Sequence, residues 1–304
     1  MTPVIVVGPV FMDIIMAEMD RLPASGEEIH AHSASWAPGG YAISATAFSR
    51  MGLSTQLVTE LGDDALGMAL EQKLLADGVQ VISPPAVGRT NIAVSLNWNG
   101  DRGIVSYTQP FHNPFAALET ILPDQDGLVL LAARHPFARD IARAAREHHL
   151  TVAMMLSWQP DFLTSRALPQ LFPWTDILLC NVPEALLATG QTDFQRALYI
   201  LGESISNVVI TRGAEGAVAL VDGEYAEAAA APCVIVDATG AGDVFAAGYL
   251  TAQLRGLPLV ERLQIGNWAA AQTVAALGGS TSAPTWQEVE EFLRMGVSPS
   301  WRKA

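Results

Sequence analysis

Short runs of apolar residues alternate with longer amphipathic stretches along most of this chain, and this alternation restricts the possible folds more than any other feature. The apolar runs predict buried strands over residues 4–8, 55–59, 127–132, 151–156, 177–180 and 207–211. The longer stretches predict helices over residues 41–51, 65–77, 139–148, 182–189, 242–255 and 260–277. Strands that alternate with helices pair in parallel through crossover connections. We therefore expect an α/β fold, a three-layer sandwich with a central, mostly parallel sheet.

Two segments interrupt this pattern, because polar and apolar residues alternate over about residues 13–37 and 88–112. This period of two is typical of antiparallel strands, and the sequence Asn-Trp-Asn-Gly-Asp at residues 97–101 is a candidate hairpin turn. We expect the two segments to form a small, discontinuous β-lid beside the main sheet. Since no repeat or Pro/Ser-rich linker divides the chain, residues 1–304 are predicted to form a single domain.

The charge balance excludes several classes of partner and site. Lysine and arginine number 17 against 31 aspartate and glutamate residues, so the net charge is −14. Nucleic acids and anionic membranes attract basic surfaces, so neither is an expected partner. Neither of the lysines, Lys73 and Lys303, follows a glycine. A P-loop, which needs a Gly-Lys step to bind phosphate, is therefore excluded.

The location of the protein is predicted from its first residues and its cysteines. The chain begins with an apolar run without a basic segment before it, which favours a first strand over a signal peptide. No apolar run reaches the roughly 18 residues that span a bilayer. Cys180 and Cys233 lie in apolar stretches, which predicts buried, reduced thiols and a cytoplasmic protein. A disulfide between them is the alternative.

The most informative motif runs from Asp237 to Asp243 and reads Asp-Ala-Thr-Gly-Ala-Gly-Asp. Its small residues, Gly240, Ala241 and Gly242, allow backbone N–H groups to approach a ligand where a helix begins. A helix N-terminus presents free donors and a partial positive charge, which suit an anion. Asp243 is a candidate general base beside that anion. The alternative is a glycine turn followed by an acidic first helical turn.

This motif closely resembles the Asp-Thr-x-Gly-Ala-Gly-Asp signature of the ribokinase-like (PfkB) carbohydrate kinases. The sequence Pro-Gly-Gly at residues 38–40, followed by a helix, resembles the first signature of that family. Leu-Gly-Asp-Asp-x-x-Gly at residues 61–67 matches a third recurring string. The resemblance extends from Val4 to about Ala283. It implies a ribokinase-like fold and transfer of the γ-phosphoryl group of ATP to a hydroxyl of a small sugar. A nucleoside kinase and a catalytically silent sugar-binding regulator remain the alternatives.

For the sugar, the resemblance implies a set of binding residues. Asp13, which the sequence places at the end of the first strand, would bind sugar hydroxyls, with Gly39 and Gly40 against the sugar. Ser44 stands where the family commonly has asparagine, so its sugar contacts would differ. Many relatives have Asp-x-Asn-x-Arg after the central strand, a string that residues 155–160 lack. Arg134 is the expected replacement for its polar contacts.

For the nucleotide, the resemblance implies ATP, Mg²⁺ and a set of residues from the second half of the chain. Asn181 and Glu184 would order magnesium and its water, although the same pair would equally cap a helix. Thr211, Gly213 and Gly216 resemble the family's nucleotide loop, although Gly-x-x-Gly after a strand is also an ordinary hairpin.

Three further implications concern the same motifs. Asn267 would lie at the edge of the adenine pocket. Asp237 and Thr239, with the 278–280 loop, would bind a monovalent cation such as K⁺. A homodimer through the β-lid is expected if one face of the lid is apolar and exposed.

Overall fold

The computed structural model of the protein describes residues 2–84, 88–98, 101–110, 114–122, 126–276 and 278–295. The strands are β1 Pro3–Val7, β2 Val10–Met19, β3 Ser33–Gly40, β4 Ser54–Val58, β5 Gln80–Ile82, β6 Ile92–Trp98, β7 Asp101–Tyr107, β8 Gly127–Ala132, β9 Leu150–Met155, β10 Ile177–Asn181, β11 Asn207–Thr211, β12 Ala217–Val221 and β13 Glu224–Ala228. The helices are α1 Tyr41–Arg50, α2 Ala65–Ala76, α3 Phe115–Glu119, α4 Ala138–Glu147, α5 Pro160–Leu163, α6 Val182–Thr189, α7 Phe194–Gly202, α8 Ala241–Leu254, α9 Leu259–Val274 and α10 Trp286–Arg294.

The predicted strands form the centre of a nine-stranded sheet with the order β13-β12-β11-β10-β9-β8-β1-β4-β5. All its neighbours are parallel except β12, which is antiparallel to both β11 and β13. The sequence analysis did not predict β5, β12 or β13. These are short or edge strands, and the two glutamates of β13, Glu224 and Glu227, weaken its apolar pattern. The α/β prediction is confirmed.

Two apolar cores cover the faces of this sheet, as a three-layer sandwich requires. Along β1, Val4 and Val6 enter one core while Ile5 and Val7 enter the other, because successive side chains of a strand point to opposite faces. The first core contains residues of α1, α2, α8 and α9, and the second contains residues of α4, α6 and α7. The sheet is buried on both faces, so its strands are apolar throughout rather than alternating.

A second, four-stranded sheet has the order β3-β2-β6-β7 and comes from the two alternating segments. The strands are shorter than predicted, since residues 20–32 form a loop. The pairing is also partly wrong: β2 and β6 are parallel, because the chain returns to β2 through α2 rather than through a hairpin. Strands β6 and β7 are antiparallel, and their register pairs Trp98 with Asp101, as the hairpin motif predicts. The turn itself, at residues 99–100, lies outside the described residues. A single-domain division of the chain stays a prediction.

The structure corrects two positions that the sequence analysis assigned. Asp13 does not end the first strand, because Gly8 and Pro9 separate β1 from β2 and Asp13 lies inside β2. Cys180 is buried as predicted, but Cys233 is exposed, because its segment leaves the sheet after β13 and crosses the surface. In the described part of the chain, no helix is long and apolar enough to cross a membrane.

Candidate active site

The motif from Asp237 to Asp243 forms a turn that leads directly into α8. Gly240 has a left-handed backbone (φ 76°), and a Cβ there would overlap Ile43 on α1. Glycine is therefore the residue that allows the chain to turn into the helix this close to α1. The space around the Cα of Gly242 is open, since an added Cβ would meet nothing within 4 Å. The first turn of α8 thus presents its N-terminus to a free volume, as an anion site requires.

Asp243 lies in this first turn and is held from α1. The Ser44 hydroxyl donates a hydrogen bond of 2.9 Å to Asp243 Oδ1, across 199 residues of sequence. Burial raises the pKa of Asp243 to about 6, although the bond from Ser44 favours the ionised form and lowers it. A carboxylate with this pKa is ionised at neutral pH and accepts a proton more readily than an exposed aspartate.

Asp13 approaches Asp243 from the second sheet. Its carboxyl group lies over Gly39 in the neighbouring strand β3, where any Cβ would overlap it. Burial, together with the charges of Asp243 and Asp237, raises the pKa of Asp13 to about 7. Residues from two distant parts of the sequence therefore converge on one acidic cluster, which we define as Asp13, Asp237 and Asp243.

Asp237 connects two loops at the edge of this cluster. It is buried, and its Oδ1 accepts a hydrogen bond of 2.9 Å from the backbone N–H of Thr239. Its Oδ2 accepts a longer one, 3.4 Å, from the backbone N–H of Gly278. The carboxylate therefore fixes the turn before α8 against the loop after α9.

Asn181 and Glu184 form the capping box that the sequence permits. Asn181 Oδ1 accepts a hydrogen bond of 2.9 Å from the Glu184 N–H, and Glu184 Oε2 accepts one of 3.0 Å from the Asn181 N–H. Glu184 is buried, and burial raises its pKa. The capping box engages Oε2 of Glu184, so Oε1 is the oxygen that would face a ligand or its water.

Tyr41 is a site residue that the sequence analysis missed. Its ring packs on Gly8, where a Cβ would overlap it, and its pKa is raised by burial and by the charges of Asp243 and Glu184. The charge of Arg134 acts on the same phenol in the opposite direction. Tyr41 therefore lies among Asp243, Glu184 and Arg134, and it remains a neutral donor. The sequence did not indicate this role, because the motif assigns no function to the residue that follows the glycine pair.

A cavity of about 430 Å³ borders the same first turn of α8. Apart from glycine, most residues in its walls are alanine, proline, valine, isoleucine or phenylalanine. Among those that line it are the predicted residues Thr211, Gly213, Gly216, Ala241, Gly242 and Asn267. The cavity thus brings together the nucleotide loop, the α8 N-terminus and α9, which are far apart in the sequence.

Two polar side chains support the walls of this cavity. Asn267 Nδ2 donates to the carbonyls of Ala228 and Ala229, at 2.9 and 3.0 Å, so it holds the end of β13 against α9. Arg212, which the sequence analysis did not single out, forms an ion pair with Glu227 on β13. Arg212 also donates to the Glu215 carbonyl at 3.0 Å and lies 5.1 Å from the centre of the Phe194 ring. The loop from Thr211 to Gly216 is therefore attached to the edge of the sheet.

Known proteins resemble this chain over most of its length. The family model described as "pfkB family carbohydrate kinase" matches residues 1–286. The ribokinase of Bacillus subtilis is 27% identical over 304 residues, which cover 96% of this chain and 100% of that protein. The cytidine kinase of Thermococcus kodakarensis is 29% identical over 247 residues, which cover 75% of this chain and 84% of that protein.

A solved structure supports the same fold. A candidate ribokinase II from Escherichia coli, in complex with ATP and Mg²⁺, superimposes with a TM-score of 0.83 and 22% sequence identity, covering 97% of this chain and 100% of that one. At this identity the likeness supports the fold alone. The family follows from the sequence match, which spans nearly the whole chain. The chain belongs to the pfkB family of carbohydrate kinases and is a kinase that acts on a sugar or a nucleoside.

Proposed function

We propose that this protein transfers the γ-phosphoryl group of ATP to a hydroxyl of a small sugar. One observation carries the proposal: the first turn of α8 lines the apolar cavity with Ala241 and Gly242, while Asp243 in the same turn belongs to the acidic cluster. A donor in the cavity and an acceptor at the cluster would meet at the helix N-terminus. The donors of that N-terminus favour a phosphoryl group between them.

The cavity suits the base and ribose of a nucleotide. Its volume of about 430 Å³ lies in the usual range of small-ligand pockets, and its apolar walls favour a flat aromatic base. The phosphates would then extend toward the amides of Gly240, Ala241 and Gly242. The E. coli protein with ATP and Mg²⁺ shares this fold, which supports ATP as the donor. A kinase supplied with ATP is expected in the cytoplasm.

Magnesium fits the residues near the phosphate path. Mg²⁺ keeps most of its waters and needs one or two carboxylates. Glu184 offers one, because its Oε1 is not used by the capping box. When bound, the ion would neutralise charge on the phosphate oxygens. The role of Glu184 is to orient one of its waters, while Asn181 fixes the rotamer of Glu184.

Asp243 would act as the base for the attacking hydroxyl. Its Oδ1 accepts the bond from Ser44, so Oδ2 is left to accept the substrate proton. Phosphoryl transfer depends mainly on positioning and charge stabilisation, so the base removes the proton as the new bond forms. The second sheet carries Asp13 above this point. Asp13, with the bare backbone of Gly39 and Gly40, would bind the other hydroxyls of the sugar, and Arg134 would contribute a polar contact at the edge of the main sheet.

A monovalent cation is a further part of the proposal. Asp237 brings the turn before α8 and the loop after α9 together, and the Thr239 carbonyl lies beside Gly279. Backbone carbonyls and one carboxylate suit K⁺. We expect a lower rate when choline replaces K⁺ at equal ionic strength; an unchanged rate would reject the cation site.

We also propose a homodimer through the outer face of the second sheet. The register pairs Ile14 with Trp36 and Val94 with Val105, so these apolar side chains share one face, opposite to that of Asp13. Trp36 is 50% exposed and Val105 68% exposed, so large apolar side chains on this face are left uncovered, as at a protein–protein interface.

The test of the dimer is light scattering of the wild-type protein and of Val105→Asp. We expect a dimer that dissociates in the variant. Val260→Asp on α9 is the control, since Val260 is also exposed but lies on another face. A wild-type monomer at micromolar concentration would contradict the proposal.

The test of the main proposal is an assay of the purified protein with ATP, Mg²⁺ and separate acceptors. D-ribose, D-fructose, cytidine and adenosine cover the sugar and the nucleoside alternatives. We expect ADP formation that depends on a sugar and that Asp243→Asn lowers by at least about 100-fold. Turnover with nucleosides alone would establish the nucleoside kinase. Sugar binding by calorimetry without ADP formation from any acceptor would establish the silent regulator.

A further inference from the structure

The position of Ser44 favours a contact with Asp243 over a contact with the sugar. It lies on α1, its exposed fraction is 0%, and its hydroxyl donates to Asp243 Oδ1 at 2.9 Å. A serine hydroxyl has a single proton to donate. Because that proton is directed to Asp243 from a fully buried position, Ser44 does not present a donor to the open side of the acidic cluster.

The contact also joins two helices that are packed together. Ile43, next to Ser44, and Val244, next to Asp243, belong to the same apolar core, so the backbones on both sides of the bond are fixed. A short side chain on a buried helix has few rotamers. The hydroxyl therefore restricts the rotation of the Asp243 carboxyl group and leaves Oδ2 as its free acceptor.

We propose that Ser44 is a positioning residue for the catalytic base and not a sugar-binding residue. The inference rests on the proposed role of Asp243 and replaces the sugar contact that the position suggests in the sequence. Ser44 holds the carboxylate in the orientation that receives the proton of the acceptor hydroxyl. It does so from behind, on the side away from the sugar.

The hydrogen bond has an electrostatic consequence as well. A donor to the ionised carboxylate favours that form, so it lowers the pKa of Asp243 against the effect of burial. The other titratable groups that face Asp243 are Asp13 on β2 and Tyr41 on α1, and Asp237 faces Asp13. Burial is what raises the pKa of Asp243, and the hydroxyl of Ser44 is the side-chain group that opposes it.

The test compares Ser44→Ala and Ser44→Cys with the wild-type enzyme, using the acceptor that the assay above identifies. We expect Ser44→Ala to lower kcat at pH 7 by about 10-fold, because a hydrogen bond to a charged group is lost. The KM of the acceptor should change less than twofold. Ser44→Cys should lie between the two, since a thiol is a weak donor. The acid limb of the kcat profile should move to higher pH in the order Ser, Cys, Ala.

Thr46→Val is the matched control. Thr46 lies on the same helix and is equally buried, and within the described residues its hydroxyl has no hydrogen-bond partner. Its replacement should leave kcat and the pH profile unchanged. If Thr46→Val lowered kcat as much as Ser44→Ala, general loosening of α1 would explain the effect and the inference would be wrong.

Two other outcomes overturn the inference and separate it from the proposed function. A raised acceptor KM with unchanged kcat in Ser44→Ala would make Ser44 a substrate residue. An unchanged kcat and pH profile would show that Asp243 needs no support from α1. In both cases Asp243→Asn would still be strongly impaired, whereas an Asp243→Asn with near-normal kcat would reject the proposed function itself.

Discussion

The acidic cluster and the apolar cavity lie on either side of the first turn of α8, and they are built in opposite ways. In the cluster, carboxylates are brought close together in a partly buried place, so the pKa of Asp13 and that of Asp243 are raised. The cavity has almost no charge, and backbone hydrogen bonds and small residues shape it. Keeping the carboxylates of the cluster ionised costs free energy of folding, and a bound ligand would reduce this cost. The cavity carries no such cost and is formed before the ligand binds. Substitutions in the cluster should therefore affect the sugar and the stability of the fold, whereas substitutions around the cavity should affect ATP.

The largest effect is expected at the base, which both regions share. Asp243→Asn removes the proton acceptor and keeps the size of the side chain, so kcat should fall by about 10²- to 10⁴-fold. Binding of ATP and of the acceptor, measured by calorimetry, should remain close to wild type. A variant with near-normal kcat would contradict a base at this position.

A smaller effect, confined to the sugar, is expected at Asp13. Asp13→Asn removes a charged acceptor of sugar hydroxyls, so the KM of the sugar should rise by about 10- to 100-fold. The KM of ATP should stay within twofold, because Asp13 lies in β2 and outside the cavity. Steady-state kinetics with each substrate varied in turn gives both constants. An equal increase of both would show that the two regions are not separable.

An effect confined to ATP is expected at Gly216 in the nucleotide loop. It has a φ of 91°, and a Cβ there would overlap the Ala228 carbonyl. Gly216→Ala should therefore displace the loop and raise the KM of ATP by about 10-fold, while the KM of the sugar stays unchanged.

Gly213→Ala is the matched control for that variant. Gly213 has a φ of 59°, also in the left-handed region, but an added Cβ would meet nothing within 4 Å. It should therefore cost only the backbone preference, about 1 kcal/mol of stability. If both variants raised the KM of ATP equally, backbone conformation rather than the contact with β13 would determine the shape of the loop.

The smallest expected effect is on stability and follows from the charge of the cluster. The pKa of Asp13 is about 7 in the folded protein, above its ordinary 3.8, so its contribution to stability is fully present below pH 3.8 and is lost as the pH rises from there through about 7. Asp13→Asn should therefore have a higher Tm than wild type at pH 8, by a few degrees, and a smaller advantage at pH 5, where only part of the loss has occurred. Asp63→Asn, which removes an exposed carboxylate outside the acidic cluster, is the control. Equal Tm values of wild type and Asp13→Asn at pH 8 would show that the ionised Asp13 does not destabilise the fold.

The order of strands and helices in the main sheet was predictable because it depends on local pattern. Apolar runs in the sequence became β1, β4, β8, β9, β10 and β11, and each of their ends lies within one residue of the predicted end. The motif before α8 was also predictable, because a glycine turn into a helix is a local property. Edge strands such as β13 were not, since they are buried on fewer sides and so carry a weaker pattern.

The sequence by itself determined the fold class, the family motifs and the glycine turn that begins α8. Only the tertiary structure decided which side chains meet. It placed Asp13 inside β2 against Gly39, exposed Cys233, and set Ser44 against Asp243 across 199 residues of sequence. The physical reason is that turns and helix starts depend on neighbours in the chain, whereas a buried hydrogen bond or a raised pKa depends on how separate elements pack together.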